Sequence, residues 1–429
     1  MANNWRFIGD FELRIRKNPL WTILKKPGIL LANSWRLTFM EDYFEKQKIL
    51  AKYSPEKWRE VEEDRLRKAN RLDLLDKKGK PFWFVLPPTL LALISEIERN
   101  RGFLASLKLP KKFLDRLASE TEKKEAYYSS HIEGAVTSLE VALLHLNKPS
   151  REDYGDESLQ MIVNNRDALE YIRGQSANPF SHEMICELHK ILVRNTHKKR
   201  PITVGGYRKG PIYVVDGQGQ VVYEGPPASE VMRMMDSYVQ WMNDTFENHP
   251  LIKAAFVHLY FVHVHPFDDG NGRSARALSN LYLMKQGYQF INFLVPSDYF
   301  DHHRGEYYRA IQNAEAHDSD ATFFILYYLT ALAEQLKNVQ IEIAKETKVR
   351  DIRDVLSQKA QAQLDKKQIK ALQWMLEHPE KMTTRKYCKL NQCSDETARK
   401  DFNRLLEAGL IQKIGDGRTT GYVLKDRLD

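Results

Sequence analysis

The residues whose types and spacing are best suited to chemistry lie in one short stretch, residues 265–276, which reads HPFDDGNGRSAR. The stretch holds a histidine, two adjacent carboxylates, a Gly-Asn-Gly turn and two arginines one helical turn apart. No rule of packing or secondary structure requires that combination. His265 is the only group in it that titrates near neutral pH, so it is the candidate general base.

The Gly-Asn-Gly turn and the arginines indicate a binding site for a polyphosphate. Because glycine has no Cβ, successive N–H groups of the turn can converge on one anion. The next segment, residues 273–284, favours a helix, and a helix N-terminus attracts phosphate through its unpaired N–H groups and its dipole. The two arginines would face the same ligand. The predicted phosphate-binding residues are Gly270, Asn271, Gly272, Arg273 and Arg276.

A carboxylate directly before the turn predicts a metal site. Asp269 supplies the hard oxygen ligand that Mg²⁺ prefers when the ion bridges two phosphates. Five other histidines are interpreted as residues of polar helix faces or of the core and not as metal ligands. Two of them, His258 and His263, match no common zinc spacing together with His265. The three upstream ones, assigned to polar faces, are His182, His189 and His197; the two near the stretch, assigned to the core or a helix face, are His258 and His263.

In their order, residues 265–276 match the signature HPFx(D/E)GNGRxxR, and the chain resembles the Fic (Fic/Doc) family at every defining position. This resemblance implies a mainly α-helical fold and the transfer of AMP from ATP to a Ser, Thr or Tyr hydroxyl of a target protein. It implies that His265 deprotonates that hydroxyl and that Asp269 holds Mg²⁺. It places the α- and β-phosphates on the turn, and the β/γ end on the two arginines.

A second motif, YYSSHIEG at residues 127–134, resembles the (S/T)xxxE(G/N) inhibitory motif of Fic proteins. Ser129 and Glu133 are four positions apart, on one face of a helix, and Gly134 is a plausible helix terminator. A carboxylate aimed at Arg276 would pair with the guanidinium needed for the γ-phosphate, so ATP would bind unproductively. The sequence therefore predicts an inhibitory helix at about residues 121–134.

A hairpin is predicted where β-branched residues flank a glycine-containing turn. The segments IYVV (212–215) and QVVYE (220–224) lie on either side of DGQG (216–219). An isolated hairpin in a helical protein has edges that can pair with another chain. In the Fic family this position is the flap that aligns the target. The predicted target-binding residues are Ile212, Tyr213 and Val214.

The nucleotide base is the least defined part of the predicted site. Tyr307 and Tyr308 resemble the family segment that lines the adenine pocket. Seven positions beyond Tyr308, where some family members carry Asn, this chain has Glu315. The choice of nucleotide is therefore open at this point.

Composition places the chain among ordinary globular proteins. Its 429 residues, 42% hydrophobic and 28% charged, predict two or three domains with a substantial core. The formal charge of +8 favours an anionic partner without identifying it. Three cysteines support neither a disulfide framework nor a four-thiolate zinc site. The charged start does not match a signal peptide. The apolar run 321–333 is shorter than the ~20 residues of a membrane span. A cytoplasmic protein with no membrane partner is therefore expected.

The flanks of the core predict further regions. We expect an N-terminal helical region at 1–110, a Fic core at 111–335, a helical connector at 336–365 and a separate module at 366–429. Residues 1–80 hold 19 basic and 12 acidic residues, which favours a solvated helical surface over a nucleic-acid face.

The C-terminal module resembles a winged helix-turn-helix domain. Three predicted helices (366–378, 384–390 and 395–408) precede a short hairpin. Arg399, Lys400 and Arg404 lie on the candidate recognition helix and are the predicted DNA-binding residues. With 14 basic and 9 acidic residues, the module could bind DNA or dock proteins.

These features predict a protein adenylyltransferase, inhibited by Glu133, that uses ATP and Mg²⁺ and that can also modify itself. Two alternatives stay open. One is removal of AMP from a modified protein at the same site, with Glu133 orienting the attacking water. The other is a DNA-binding regulator that senses nucleotide through its Fic core. The target protein and the oligomeric state are not predicted.

Overall fold

The computed structural model describes residues 55–107, 109–148, 153–197, 201–215, 219–245, 248–316, 318–360, 364–378, 380–417 and 420–425. The chain divides into two compact units, Met1–Leu336 and Lys337–Asp429. The prediction of a mainly α-helical fold is confirmed, because helices dominate and each sheet among the described residues is a two-stranded antiparallel hairpin. Residues 1–54, and with them most of the predicted N-terminal region, lie outside the described residues.

Eleven helices lie within the described part of the first unit, and a twelfth crosses the boundary between the units. In chain order they are α1 (Pro55–Arg67), α2 (Pro88–Ser106), α3 (Lys111–Ile132), α4 (Leu139–Leu146), α5 (Glu157–Gly174), α6 (His182–Val193), α7 (Ala228–Asn243), α8 (Pro250–Val264), α9 (Asn271–Lys285), α10 (Pro296–His302), α11 (Arg304–Ala316) and α12 (Thr322–Ala360). A 3₁₀ turn, Gln289–Phe293, follows α9.

Helices α8 and α9 form the centre of the first unit. Nearly every side chain of α8 is buried, because the helix is apolar on all faces and is covered from every side. It starts at Pro250, the favoured residue for a first helical turn, and ends where His265 adopts a left-handed conformation with φ 49°. Helix α9 starts after Gly270, whose φ is 80°. The connecting loop between two buried helices is therefore short and firmly held at both ends.

The motif at residues 127–134, which was predicted to be inhibitory, ends helix α3. This helix is longer than predicted, since it begins at Lys111, and Glu133 is its C-cap residue. Gly134 follows with φ 96°, a conformation that favours glycine, as the sequence predicted for a terminator. Helix α3 packs against α5 and α10, so its C-terminal turn is held close to the loop between α8 and α9.

Two hairpins belong to the first unit. Strands β1 (Asn70–Leu75) and β2 (Pro81–Phe84) form one of them, in a region where the sequence analysis expected helices only. The signal that was missed is the alternation of polar and apolar residues along β1, where Leu72 and Leu74 are buried and their neighbours are exposed. Strands β3 (Tyr213–Val215) and β4 (Val221–Glu224) form the predicted flap hairpin, each one residue shorter than expected. Residues 216–218 of its turn lie outside the described residues.

The second unit contains the predicted three helices and hairpin. They are α13 (Lys366–Glu377), α14 (Thr384–Asn391), α15 (Asp395–Glu407), β5 (Ile411–Ile414) and β6 (Gly421–Leu424). Ser394 caps α15 by accepting a hydrogen bond from Thr397 N–H at 3.3 Å, and Phe402 and Tyr387 lie in the small core. Across the part of the chain that the structure describes, no helix has the length and apolar character needed to cross a bilayer.

Candidate active site

The candidate general base is held in one tautomer. His265 Nδ1 lies 3.1 Å from the carbonyl oxygen of Val262, and a carbonyl only accepts, so Nδ1 carries the proton and Nε2 keeps a basic lone pair. Burial lowers the pKa of His265, although the Val262 hydrogen bond and the charge of Glu133 oppose this effect. The imidazole is therefore neutral at pH 7, as a proton acceptor must be.

A buried arginine, Arg208, holds the backbone around this histidine. Its Nε donates to the His265 carbonyl at 2.8 Å, and its backbone N–H donates to the Pro266 carbonyl at 2.8 Å. The other guanidinium nitrogens donate to Gly210 and Pro226 at 2.8 and 2.7 Å. These bonds stabilise the left-handed turn at His265 and join it to both ends of the flap. The sequence analysis did not assign this role to Arg208.

The side chain of Asn271 closes the loop instead of facing a ligand. Its Oδ1 accepts a hydrogen bond from Phe267 N–H at 2.9 Å, and its Nδ2 donates to the Phe267 carbonyl at 2.8 Å. The residue is buried, so both bonds are shielded from water. Asn271 can therefore contribute to phosphate binding through its backbone only.

The start of α9 supplies the predicted nest of N–H groups. The first hydrogen bond of the helix runs from Ser274 N–H to the Gly270 carbonyl at 2.9 Å, so the helix ladder leaves the N–H groups of residues 271–273 unused. A Cβ on Gly270 would lie 3.3 Å from Val193 Cγ1, and its positive φ already disfavours other residues. Three N–H donors thus point out of a helix N-terminus, where an anion binds favourably.

The two arginines of the motif have different partners. Arg273 is fully buried and donates to Asp269 Oδ2 at 2.6 Å and to the Leu192 carbonyl at 3.1 Å. Burial favours the protonated form of Asp269, but the charge of Arg273 and the Gly270 N–H outweigh burial and hold its pKa below the usual range. Asp269 is therefore ionised. Arg273 orients this carboxylate, so the expectation that both arginines face one ligand does not match this geometry.

Arg276 points to helix α3. Its Nε donates to Ser129 Oγ at 2.8 Å, and its Nη2 donates to the Ser129 carbonyl and to Glu133 Oε1, both at 2.8 Å. Its Nη1 lies 3.4 Å from Tyr307 Oη. Burial disfavours the charge, but Glu133 more than compensates and raises the pKa of Arg276. The structure thus places Glu133 against Arg276, as the motif predicted, and adds Ser129 as a second partner of the guanidinium.

The carboxylate of Glu133 also covers the nest. A Cβ on Gly272 would overlap Glu133 Oε1 and would lie 3.1 Å from Arg276 Nη1. Glycine at this position therefore lets an anion approach the start of α9 closely. The anion present there in this structure is the side chain of Glu133, which lies where a phosphate would meet both the nest and Arg276.

Residues 179–283 match the Fic/DOC family. This segment resembles that family. The resemblance predicted from the loop signature is thereby confirmed. Residues 369–419 of the second unit match the DeoR-like helix-turn-helix domain, which fits the predicted winged-helix module. The matched part of the Fic domain runs from the start of α6 to the end of α9 and includes the complete loop.

Two curated relatives are similar to this chain. "Protein adenylyltransferase Fic" of Aedes aegypti is 28% identical over 228 residues, which cover 52% of this chain and 43% of that protein. "Protein adenylyltransferase Fic" of Nematostella vectensis is 27% identical over 220 residues, which cover 49% of each. The chain thus spans a little under half the length of these relatives. A crystal structure of a Fic family protein from Desulfovibrio desulfuricans G20 shares the fold, with a TM-score of 0.52 and 21% identity over 81% of this chain and 98% of that chain.

Helix α3 is also anchored at positions away from the nest. Burial raises the pKa of Glu125 to about 7, and its carboxylate accepts hydrogen bonds from the Ser297 N–H at 3.1 Å and from the Ser297 hydroxyl. Near the end of the helix, Arg304 Nη2 donates to the His131 carbonyl at 2.9 Å, and His131 Nδ1 lies 2.7 Å from Asp301. Helices α10 and α11 therefore hold the turn that carries Glu133.

A histidine that the sequence analysis placed on a polar face is part of the candidate site. His189 is fully buried, its Nε2 lies 3.1 Å from the Asp269 carbonyl, and its Nδ1 accepts from Gly205 N–H at 3.0 Å. Its ring stacks on Phe267 at 3.8 Å, and burial lowers its pKa to about 4. The polar-face interpretation was wrong, because a helix periodicity does not reveal which side chain the loop will cover.

The other histidines have separate environments. His197 lies beside the loop, with Nε2 3.4 Å from Asp269 Oδ2. His182 is partly exposed and lies 3.0 Å from Asp236, while His258 and His263 are buried. Among the described residues, no group of three or more His, Cys, Asp or Glu side chains could hold a metal ion by itself.

The two tyrosines of the predicted adenine pocket differ in accessibility. Tyr307 is buried, and its hydroxyl lies 2.8 Å from His258 Nε2 as well as near Arg276. Its ring therefore has no exposed face for a base. Tyr308 is 42% exposed, so the predicted base contact rests on it alone. The side chain of Glu315 lies outside the described part of the structure.

Proposed function

We propose that this chain is a protein adenylyltransferase, which transfers AMP from ATP to a Ser, Thr or Tyr hydroxyl of a target protein. The observation that carries the proposal is the position of a neutral histidine, His265, directly before a nest of N–H groups at the start of a buried helix. A proton acceptor beside a polyphosphate site suits attack of a hydroxyl on phosphorus. The names of the two curated relatives support the same activity.

In this mechanism His265 Nε2 takes the proton of the target hydroxyl while the oxygen attacks the α-phosphorus of ATP. A new oxygen–phosphorus ester bond forms, the bond between the α-phosphorus and the bridging oxygen breaks, and pyrophosphate leaves with that electron pair. The N–H groups of residues 271–273 stabilise negative charge that develops on the phosphates. Asn271 and Arg208 contribute by holding the loop in the required conformation.

Asp269 fits the role of a Mg²⁺ ligand. It is ionised, its side chain is 38% exposed, and Arg273 fixes its orientation. A single carboxylate suffices, because Mg²⁺ bound with a nucleotide takes its other ligands from phosphate oxygens and water. When bound, the ion supplies neutralisation of phosphate charge.

The flap is proposed to bind the target. Tyr213, Val215 and Val221 are each more than half exposed, although the hairpin is apolar. Strand β3, which contains Val214 and directly follows Ile212, has backbone groups that can pair with an extended segment of another protein, or of a second copy in self-modification. Such pairing would place a hydroxyl of that segment beside His265.

Glu133 is proposed to inhibit this reaction. It pairs with Arg276, the guanidinium that would otherwise bind the terminal phosphates, and it covers Gly272. ATP can therefore bind productively only after this carboxylate moves away.

The position of the label in ATP tests the proposed reaction. With the Glu133→Gly protein and a cell extract, protein-bound label from α-³²P-ATP is expected to rise above that in the extract alone. Label from γ-³²P-ATP is not expected to rise above the extract alone, because the γ-phosphate leaves in pyrophosphate. EDTA is expected to reduce the α-label by at least about tenfold, since phosphate charge is then no longer neutralised. Autoradiography of denaturing gels measures both. Equal incorporation of the γ-label would indicate a kinase-type reaction and would contradict the proposal.

A second candidate function, DNA binding by the second unit, is favoured by the match to the DeoR-like domain. Arg399, Lys400 and Arg404 are exposed on α15, although Lys400 pairs with Glu396 at 2.9 Å. Because each lost phosphate contact lowers the salt dependence of binding, joint replacement of Arg399 and Arg404 by alanine is expected to reduce the slope of log affinity against log salt by about two. Fluorescence anisotropy with duplex DNA measures this slope, and a wild-type protein that does not bind would favour protein docking instead.

A further inference from the structure

The turn between β1 and β2, residues 76–80, reaches the flap and the end of helix α8. Lys77 makes these contacts, although it lies 186 residues before its partner His263. Its backbone N–H donates to His263 Nε2 at 3.2 Å, and its ammonium donates to the Glu224 carbonyl at 2.5 Å. The same ammonium lies 4.4 Å from the centre of the Tyr223 ring. One lysine outside the matched Fic segment therefore contacts two consecutive residues of strand β4.

The turn that carries Lys77 is itself firmly held. The carboxylate of Asp76 accepts hydrogen bonds from Lys78 N–H and Lys80 N–H at 2.8 Å each, and from the Ser319 hydroxyl at 2.7 Å. Burial favours the protonated form of Asp76, but these bonds outweigh burial and lower its pKa. The turn is thus fixed to the core of the unit, and Lys77 projects from a rigid base.

The contacted strand leads directly to the catalytic residue. The hydroxyl of Tyr223 donates to the His263 carbonyl, and its ring centre lies 6.4 Å from that of His265. Across the hairpin Tyr223 pairs with Val214, one of the residues proposed to bind the target. A shift of Tyr223 would therefore change the distance between the bound segment and His265 Nε2.

We propose that Lys77 is a positioning residue, which sets the flap at the distance from His265 that presents a target hydroxyl for attack. A two-stranded hairpin with exposed side chains is marginally stable by itself, so its position depends on external contacts such as those of Arg208 at its ends. A charged donor to a carbonyl, combined with a cation–π contact, provides a further contact of this kind. The inference rests on the proposed function and extends it to a residue that touches neither nucleotide nor target.

The test compares two acceptors of AMP, protein and water. In the Glu133→Gly background, with a cell extract as the source of hydroxyl groups, protein-bound AMP and free AMP formed from α-³²P-ATP are both quantified. Lys77→Ala is expected to lower the ratio of protein-bound to free AMP by about tenfold, because water needs no flap. Lys77→Arg keeps a cationic donor and is expected to restore most of the ratio. Lys78→Ala, which removes the neighbouring exposed ammonium, is expected to match the parent.

Three results would overturn the inference. An unchanged ratio in Lys77→Ala would show that the contact does not position the flap. A parallel loss of both products would show a general effect on folding or on ATP binding, which titration with a fluorescent ATP analogue would detect independently. A loss in Lys78→Ala equal to that in Lys77→Ala would show an effect of net charge. If the Glu133→Gly parent itself forms no protein-bound AMP, the proposed function fails instead.

Discussion

Replacement of His265 by alanine is expected to lower AMP transfer to protein by about two to four orders of magnitude, the usual contribution of a general base. The reason is that Nε2 is the proposed proton acceptor, because the hydrogen bond from Nδ1 to the Val262 carbonyl leaves the lone pair on Nε2. Incorporation of label from α-³²P-ATP, measured in the Glu133→Gly background, checks this result. Circular dichroism and ATP binding of the variant should match the parent, since Arg208 holds the loop through the backbone of residue 265. Retained labelling would remove His265 from the mechanism.

The pH dependence of the same reaction follows from the state of this histidine. Burial lowers the pKa of His265 from the model-compound value of 6.5, so the neutral base persists as the pH falls. The initial rate is therefore expected to be constant from pH 8 downward and to decline only below about pH 6.5. A decline that begins above that pH would show that a different group, or a raised pKa, controls proton transfer.

Replacement of Glu133 by glycine is expected to raise AMP transfer, including self-modification, by about tenfold or more. A hydrogen bond between charged groups contributes about 1.5–3 kcal/mol, and the loss of this one frees Arg276 for the terminal phosphates. The substitution also uncovers Gly272 at the start of the nest. Initial rates with wild-type and variant protein at equal concentration measure the effect.

Two further variants separate charge from backbone effects at this position. Glu133→Ala removes the carboxylate without adding a second glycine to the helix end and should activate equally. Glu140→Ala removes an exposed carboxylate from the next helix and should change nothing. An unchanged rate in Glu133→Gly would refute inhibition by this residue. Loss of an ability to remove AMP from a modified protein would instead favour the alternative in which Glu133 orients a water molecule.

Much of this site could be predicted because its main motif is contiguous. Residue types and spacing between His265 and Arg276 predicted a loop that ends at a helix N-terminus, and the loop and helix α9 follow that pattern. Gly134 and Gly270 adopt the positive φ angles for which glycine is suited. The β-branched segments around residues 216–219 predicted the flap hairpin. In each case, neighbours in the chain impose the conformation through local sterics and hydrogen bonding.

The partners within the loop were harder to predict. Both arginines of the motif lie on helix α9, but Arg273 turns to Asp269 while Arg276 turns to helix α3. Similarly, Asn271 turns inward to Phe267. Spacing along a helix defines which face a residue occupies, whereas the packed neighbours decide the rotamer and the partner.

The sequence by itself determined the chemistry of the loop, its place at a helix start and the presence of a flap, since these depend on residues a few positions apart. The Glu133–Arg276 contact across 143 residues was expected only through the resemblance to a family motif. Only the tertiary structure decided that Arg208 holds His265 across 57 residues and that Lys77 contacts strand β4 across 147. Burial of His189 was decided in the same way. Contacts of this kind arise when distant segments exclude water between them, and no local pattern of residues records which segments will meet.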